Sequence, residues 1–126
     1  MKPGNFKDLG AYKKSFDLAM DIFKTSKHFP QEETYSLTDQ IRRSSRSVTT
    51  NMAESYRKRQ YIAHFLSKVS DADMENSETQ VWLDFAFACN YISEDVHRDL
   101  LRKSEEVGRM LYHMLTYPQN YGVKKA

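Results

Sequence analysis

What this chain has little of narrows its class before any motif does. It holds a single cysteine, Cys89, so no disulfide can close within it. No Cys-x-x-Cys pair and no phosphate-cradling glycine loop occurs, so neither a redox motif nor a nucleotide or other cofactor is expected. Glycine and proline number four and three. All but Gly108, which is tolerated inside a helical segment, fall at the edges of periodic segments, which argues against strands joined by tight turns and for long helices with short connectors. No apolar run reaches membrane-spanning length and no basic-then-apolar leader is visible, so neither membrane insertion nor secretion is expected, and the expected location is cytoplasmic. An excess of one charge is also lacking. A net charge of +2 gives no long-range field that would mark a nucleic-acid binder, so only the placement of charges can argue for one.

What is present is helical periodicity. A chain of 126 residues can bury on the order of two thirds of its unfolded surface in one domain, without metal or disulfide staples. The first helix is expected over about 10–27, with Tyr12, Phe16, Ala19 and Phe23 on one side and Leu18 and Ile22 broadening that face; Pro30 follows it. Ser36 is placed to cap a second helix over about 36–58, with Asp39 three residues on as in a capping box. A third helix over about 60–89 carries Phe65, Leu66, Val69, Ala72, Thr79, Leu83 and Ala86. A fourth, over about 94–116, begins at a Ser93 cap with Glu94 and Asp95 in its first turn and carries Val96, Leu100, Val107, Leu111 and Met114. Four amphipathic helices with short links pack most simply as an antiparallel up-down four-helix bundle, an all-α single domain. Residues 1–5 and the tail from Gln119 have little to bury and are expected to be flexible.

The second helix is the most informative. At about 100° per residue, Leu37, Ile41, Val48 and Met52 fall in one narrow sector and face a core. Arg42, Arg43, Arg46, Thr50 and Arg57 gather on the opposite side, so several guanidinium groups leave the packed unit together. Guanidinium forks suit phosphate oxygens, but arginines also make subunit salt bridges or simply solvate a helix, and all three readings stand. Gln40, Ser47, Asn51 and Glu54 form a polar line between the two faces, expected as a hydrogen-bonded seam. On the third helix Asp71, Glu75 and Glu78 share a face, and Trp82 continues it; this face is expected to meet the arginine-bearing second helix, at a subunit interface with Trp82 as anchor or within one subunit.

The remaining chemistry reads as structural. Of the Glu-x-x-His pairs that a di-iron bundle needs, only Glu94-Asp-Val-His97 occurs, and His28, His64 and His113 have no ligand spacing, so no metal site is expected. Cys89 reads as a small core residue, Phe16, Phe23 and Phe65 as core aromatics, and Met20, Met52, Met74, Met110 and Met114 as gap-fillers. No nucleophile or substrate pocket accompanies Glu54, so no catalytic residue is expected.

Several stretches resemble a known family. Phe6-Lys-Asp-Leu9 with Tyr12, then Phe29-Pro30 followed by Glu33, Tyr35 and Leu37, look like its opening and first connector. Gln40-Ile-Arg-Arg43, Ser47-Val48, Asn51, Ala53 and Glu54 resemble its central signature. Phe65-Leu-Ser-Lys68, Ala72, Glu75, Glu78-Thr79 and Trp82-Leu83 resemble the third-helix pattern of one branch. The family is that of the small bacterial four-helix bundle proteins related to the protein encoded in 23S ribosomal RNA intervening sequences, and the resemblance covers about residues 6–116. Where members usually carry glycines after Ala-Glu, this chain has Ser55 and Arg57, which can prolong the helix by a turn. The resemblance implies a ring-like homo-oligomer, a pentamer in the better understood relatives, and brings no catalytic residues. More distantly the chain resembles the accessory variability protein of diversity-generating retroelements, a basic bundle that binds nucleic acid and a reverse transcriptase; this chain lacks that strongly basic character.

Two functional expectations follow. The first is a non-enzymatic, self-assembling helical scaffold whose exposed arginines engage RNA, DNA or a nucleic-acid enzyme. The alternative is an oligomeric adaptor that binds only protein, its arginines committed to salt bridges between subunits.

Overall fold

Apolar period and capping residues produce four long helices. The computed structural model describes residues 4–124, and within them α1 spans Gly10–Ser26, α2 Leu37–Arg57, α3 Ile62–Ala88 and α4 Glu94–Thr116. Short connectors leave consecutive helices little choice but to run antiparallel. The cross-helix bonds confirm it, because partner numbers rise on one helix as they fall on the next. Between α1 and α2, Thr49 donates to Ser15 and Arg42 to Ser26. Between α2 and α3, Ser44 meets Thr79 and Glu54 meets Lys68. Between α3 and α4, Asn76 meets Ser104 and Asp84 meets His97. Bonds from Asp21 to Lys103 and Lys14 to Glu106 close α4 onto α1, so the helices form a four-helix up-down bundle in cyclic order.

The shared core contains Ile22, Ile41, Met52, Phe65, Val69, Leu83, Leu111 and Met114, all essentially without solvent contact. Each such side chain contributes on the order of 1.5–3 kcal/mol by leaving water. Buried polar groups are placed where they find partners. Asn76 Nδ2 donates to the Ser104 carbonyl at 2.9 Å while its Oδ1 accepts from Ser104 Oγ at 2.9 Å, which ties α3 to α4 without leaving an amide unsatisfied.

Three details differ from the sequence-based expectation. The face that α1 buries is Ala11, Ser15, Leu18, Ala19, Ile22 and Ser26, a rotation that leaves Phe16 about half exposed and Phe23 at the edge. Ser15 and Ser26 sit at the seam because small residues let α2 approach and their hydroxyls accept from Thr49 and Arg42. Ser36 does not cap α2 through its own side chain. Instead Glu33 Oε1 accepts from Ser36 Oγ at 2.6 Å and from the Leu37 amide at 3.2 Å, so a carboxylate meets the positive end of the helix. Cys89, Met20, Met74 and Val96 are exposed rather than core; Cys89 lies in the turn after α3, where Asn90 takes φ 62. Ser93 caps α4 as its position suggests, accepting from the Val96 amide.

Within the two terminal segments, the described residues make contacts with the bundle. Asn5 caps a short 3-10 turn, Phe6–Asp8, and the Gly4 amide donates to the Tyr56 hydroxyl. After a second short turn, Pro118–Tyr121, Gly122 adopts φ 79, which a side chain would strain. The reversal buries Val123 and lets the Lys124 amide donate to the Arg59 carbonyl at 3.1 Å. Residues 1–3 and 125–126, the rest of the segments expected to be flexible, lie outside the described residues.

Candidate interaction site

The arginines of α2 do not form one free stripe. Arg42 is held by its own chain: Nε donates to Ser26 Oγ at 2.8 Å, and the guanidinium lies 4.8 Å from the centre of the Phe23 ring. Arg46 is exposed but lies over the same ring at 5.5 Å, and Lys27 covers it at 4.7 Å. A ring at the edge of α1 thus draws cations toward itself through its negative face. This corrects the outward placement expected for Arg42. Helical period gives the side from which a side chain leaves, but an arginine is long enough to fold back along its own surface.

Below Arg46 runs a groove of about 460 Å³ between α1 and α2. Phe6, Tyr12, Phe16 and Met20 wall it, and Arg46 and Thr50 stand at its rim. Phe6 and Tyr12 meet edge to face, and Tyr12 stacks with Phe16. Sequence reasoning assigned Phe16 to the core and missed this hollow. The available signal was the spacing of Phe16 and Met20, which puts them on one arc away from Leu18 and Ile22.

The other flank of α2 is polar. Gln40, Arg43, Ser47 and Asn51 face Asp71, Glu75 and Glu78 across a groove of about 470 Å³ between α2 and α3. Of the two places expected for the acidic face, beside the second helix of a neighbour or of its own chain, these contacts lie within one chain, and they bring it opposite the polar line. Glu75 has its pKa raised, first by burial and then by the hydrogen bond and charge of neighbouring Glu78, while Ser47 and Arg43 act in the opposite sense. Arg43 itself pairs with Asp39 at 3.8 Å and stays mostly in water, so the pair is worth at most about 1 kcal/mol. Glu54 leaves the line to bind Lys68 at 2.8 Å, and that carboxylate raises the Lys68 pKa. Asn51 satisfies its amide on the Ser47 carbonyl, as does the Thr50 hydroxyl.

Trp82 is half-buried against the core, its indole N–H is enclosed without a hydrogen-bond partner, and its ring lies 6.0 Å from that of Phe85. It is the exposed Phe85, with Val81 and Met74, that presents apolar area to water. Arg57, in the last turn of α2, is exposed. Arg46 and Arg57 take part in none of the ion pairs among the described residues.

The rest of the titratable chemistry is structural. Tyr91 donates to Glu33 Oε2 at 2.8 Å, joining the two connectors at one end of the bundle. Hydrogen bonds from Ser36 and Tyr91 lower the Glu33 pKa, and the Glu33 bond pushes Tyr91 up to about 12. His97 stacks on Phe87 and bonds Asp84. Among the described residues no group of three or more His, Cys, Asp or Glu stands close enough to hold a metal ion, and no helix is long and apolar enough to cross a membrane.

Comparison with known proteins gives this geometry a context. No protein with a curated description matches the chain. A crystal structure at 1.70 Å resolution of a protein of unknown function from Bacteroides thetaiotaomicron, placed in the S23 ribosomal protein family, is similar over 83% of this chain and 97% of its own, with 25% sequence identity and a TM-score of 0.76. The sequence profile of the family described as 23S rRNA-intervening sequence protein matches residues 7–113. The chain belongs to the 23S rRNA-intervening sequence protein family.

Proposed function

We propose that this protein is a non-enzymatic, self-assembling helical scaffold. The observation that carries the reading is apolar surface left in water on two sides of a small bundle: Phe16 and Met20 beside the α1/α2 groove, and Met74, Val81 and Phe85 along α3. Contiguous exposed apolar surface rimmed by charge marks interaction sites in soluble proteins. Copies of the chain are the partner, and the resemblance to ring-forming relatives suggests five of them. The expected setting is the cytoplasm. On α2 and α3, Arg43 pairs with Asp39 and Lys68 with Glu54, and no reaction is assigned.

A second reading keeps nucleic acid as a partner. Arg46, Thr50 and Arg57 lie exposed on α2, and neither of these two arginines forms an ion pair among the described residues, which leaves them available to phosphate oxygens of RNA or DNA or to a nucleic-acid enzyme. Arg43 supports this reading less, because Asp39 neutralises it and Asp71, Glu75 and Glu78 across the groove would repel a phosphate. The protein-only adaptor is favoured by the same residues.

Light scattering combined with a salt titration tests both readings. Assembly predicts a mass several times 14.8 kDa, and a particle of single-chain mass would reject it. Nucleic-acid binding predicts affinity for RNA or DNA that falls steeply with salt, with the slope reduced by about one unit for each lost phosphate contact in Arg46→Glu or Arg57→Glu. Salt-independent or absent binding would leave the adaptor.

A further inference from the structure

Two exposed surfaces of this bundle are complementary. The first is the α1/α2 groove, an apolar hollow whose rim carries the Arg46 guanidinium. The second is a ridge on α3, where Met74, Val81 and Phe85 follow at seven and four residues and so share one arc of the helix. They are 63%, 47% and 53% exposed, and exposed Asp71 and Glu78 lie on the same side. Neither of these acids forms an ion pair among the described residues, and Glu78 lies against the like-charged Glu75. A hollow with a cationic rim thus has its counterpart in a ridge with an acidic border. The two cannot meet within one chain, because α3 packs beside α2 and α4 and its ridge lies opposite the buried line of Phe65, Val69, Ala72 and Leu83.

We infer that the α3 ridge of one copy seats in the α1/α2 groove of the next, with Met74, Val81 and Phe85 toward the hollow and Asp71 and Glu78 toward Arg46. This rests on the assembly reading above and deepens it by naming the two faces. Apolar area supplies the adhesion, and the charges fix orientation and exclude the reversed approach. Stacking of Arg46 over Phe23 holds the guanidinium near the rim before the partner arrives, which lowers the entropy lost on docking. Because the two faces differ and lie on separate sides of the bundle, the contact is heterologous. Repeated from copy to copy, it closes into a ring or continues as a filament.

Complementary blocking tests the assignment. Phe16→Glu disables the groove and Phe85→Glu disables the ridge, and the two altered faces repel each other; both side chains are about half exposed, and circular dichroism checks that helix content is retained. In sedimentation each variant alone is expected at the single-chain mass of 14.8 kDa. An equal mixture should form a two-chain species and nothing larger, because the intact ridge of one variant meets the intact groove of the other while the remaining faces are blocked. Should either variant lose helix, the pair Arg46→Glu and Glu78→Arg tests the charges instead: each alone is expected at single-chain mass, and the equal mixture, whose altered rim and altered border attract each other again, is expected to regain assemblies of more than two chains. If the wild type itself sediments as a single chain, assembly is rejected. If the wild type assembles but the mixture stays at single-chain mass, or either variant alone still assembles, assembly stands and this docking is overturned.

Discussion

On its α1 side, helix α2 sets guanidinium groups over an aromatic ring beside an apolar hollow, whereas on its α3 side it meets amides, hydroxyls and three carboxylates. The arginines therefore have different fates on one helix. Arg42 is held by Ser26 and Phe23, Arg46 rims the hollow, and Arg43 stays in water beside Asp39. The difference teaches that a charged stripe on a helix is not one functional unit. What each arginine can bind depends on what the adjacent helix offers at its base, a ring in one case and acids in the other.

The largest expected effect comes from the floor that both flanks share. Phe65, wholly buried, should cost about 3–5 kcal/mol of stability when truncated in Phe65→Ala, through lost burial and the cavity left behind. Chemical denaturation measures it, and a cost below about 1 kcal/mol would show that the core can collapse around the gap. The two seams can then be compared directly. Thr79→Val removes the bond to Ser44 on the α3 side, and Thr49→Val removes the bond to Ser15 on the α1 side. Each should cost about 1 kcal/mol, since the hydroxyl left behind keeps a backbone acceptor. A markedly unequal pair would show that one seam relaxes and the other does not.

Smaller effects sharpen the contrast in charge. Phe23→Leu keeps apolar volume but removes the ring under Arg42, Arg46 and Lys27, with a loss of about 0.5–1 kcal/mol for each cation that depends on it. Arg46 should then become more mobile by side-chain NMR. The carboxylates give the smallest effect and opposite signs in a pH titration. Glu75 has a folded-state pKa above its ordinary 4.5, so its contribution favours the fold below that value and is lost as pH rises through the folded value. Glu33 is lowered, so its contribution is present above 4.5 and is lost as pH falls through its folded value. Glu75→Gln should therefore raise the melting temperature at neutral pH, while Glu33→Gln should lower it there and lose its effect in acid. The same sign for both at neutral pH would contradict these environments.

The period of apolar residues and the punctuation by Pro30, Ser36 and Ser93 made the four helices legible. The candidate site was less so. Asp71, Glu75, Glu78 and the line Gln40, Ser47, Asn51 were visible as separate patterns, yet nothing in spacing along one helix says that they face each other across a seam. On α1 two neighbouring arcs are both apolar, and the choice between them fell to Ser15 and Ser26, whose small size matters only once α2 is in place. Cys89 falls in the turn where α3 ends, so its apolar character did not place it in the core.

By itself the sequence determined which residues share a helical face, where each helix starts and stops, and that four such faces must close on a common core. Those follow from local geometry and the cost of exposing apolar area. Only the tertiary structure decided that Arg42 folds onto Phe23, that Glu33 rather than the Ser36 side chain caps α2, and that an arginine-rimmed hollow and an acid-bordered ridge lie on separate sides. These depend on atoms far apart in the chain, where rotamer, helix rotation and neighbour shape select among contacts that the linear pattern allows equally.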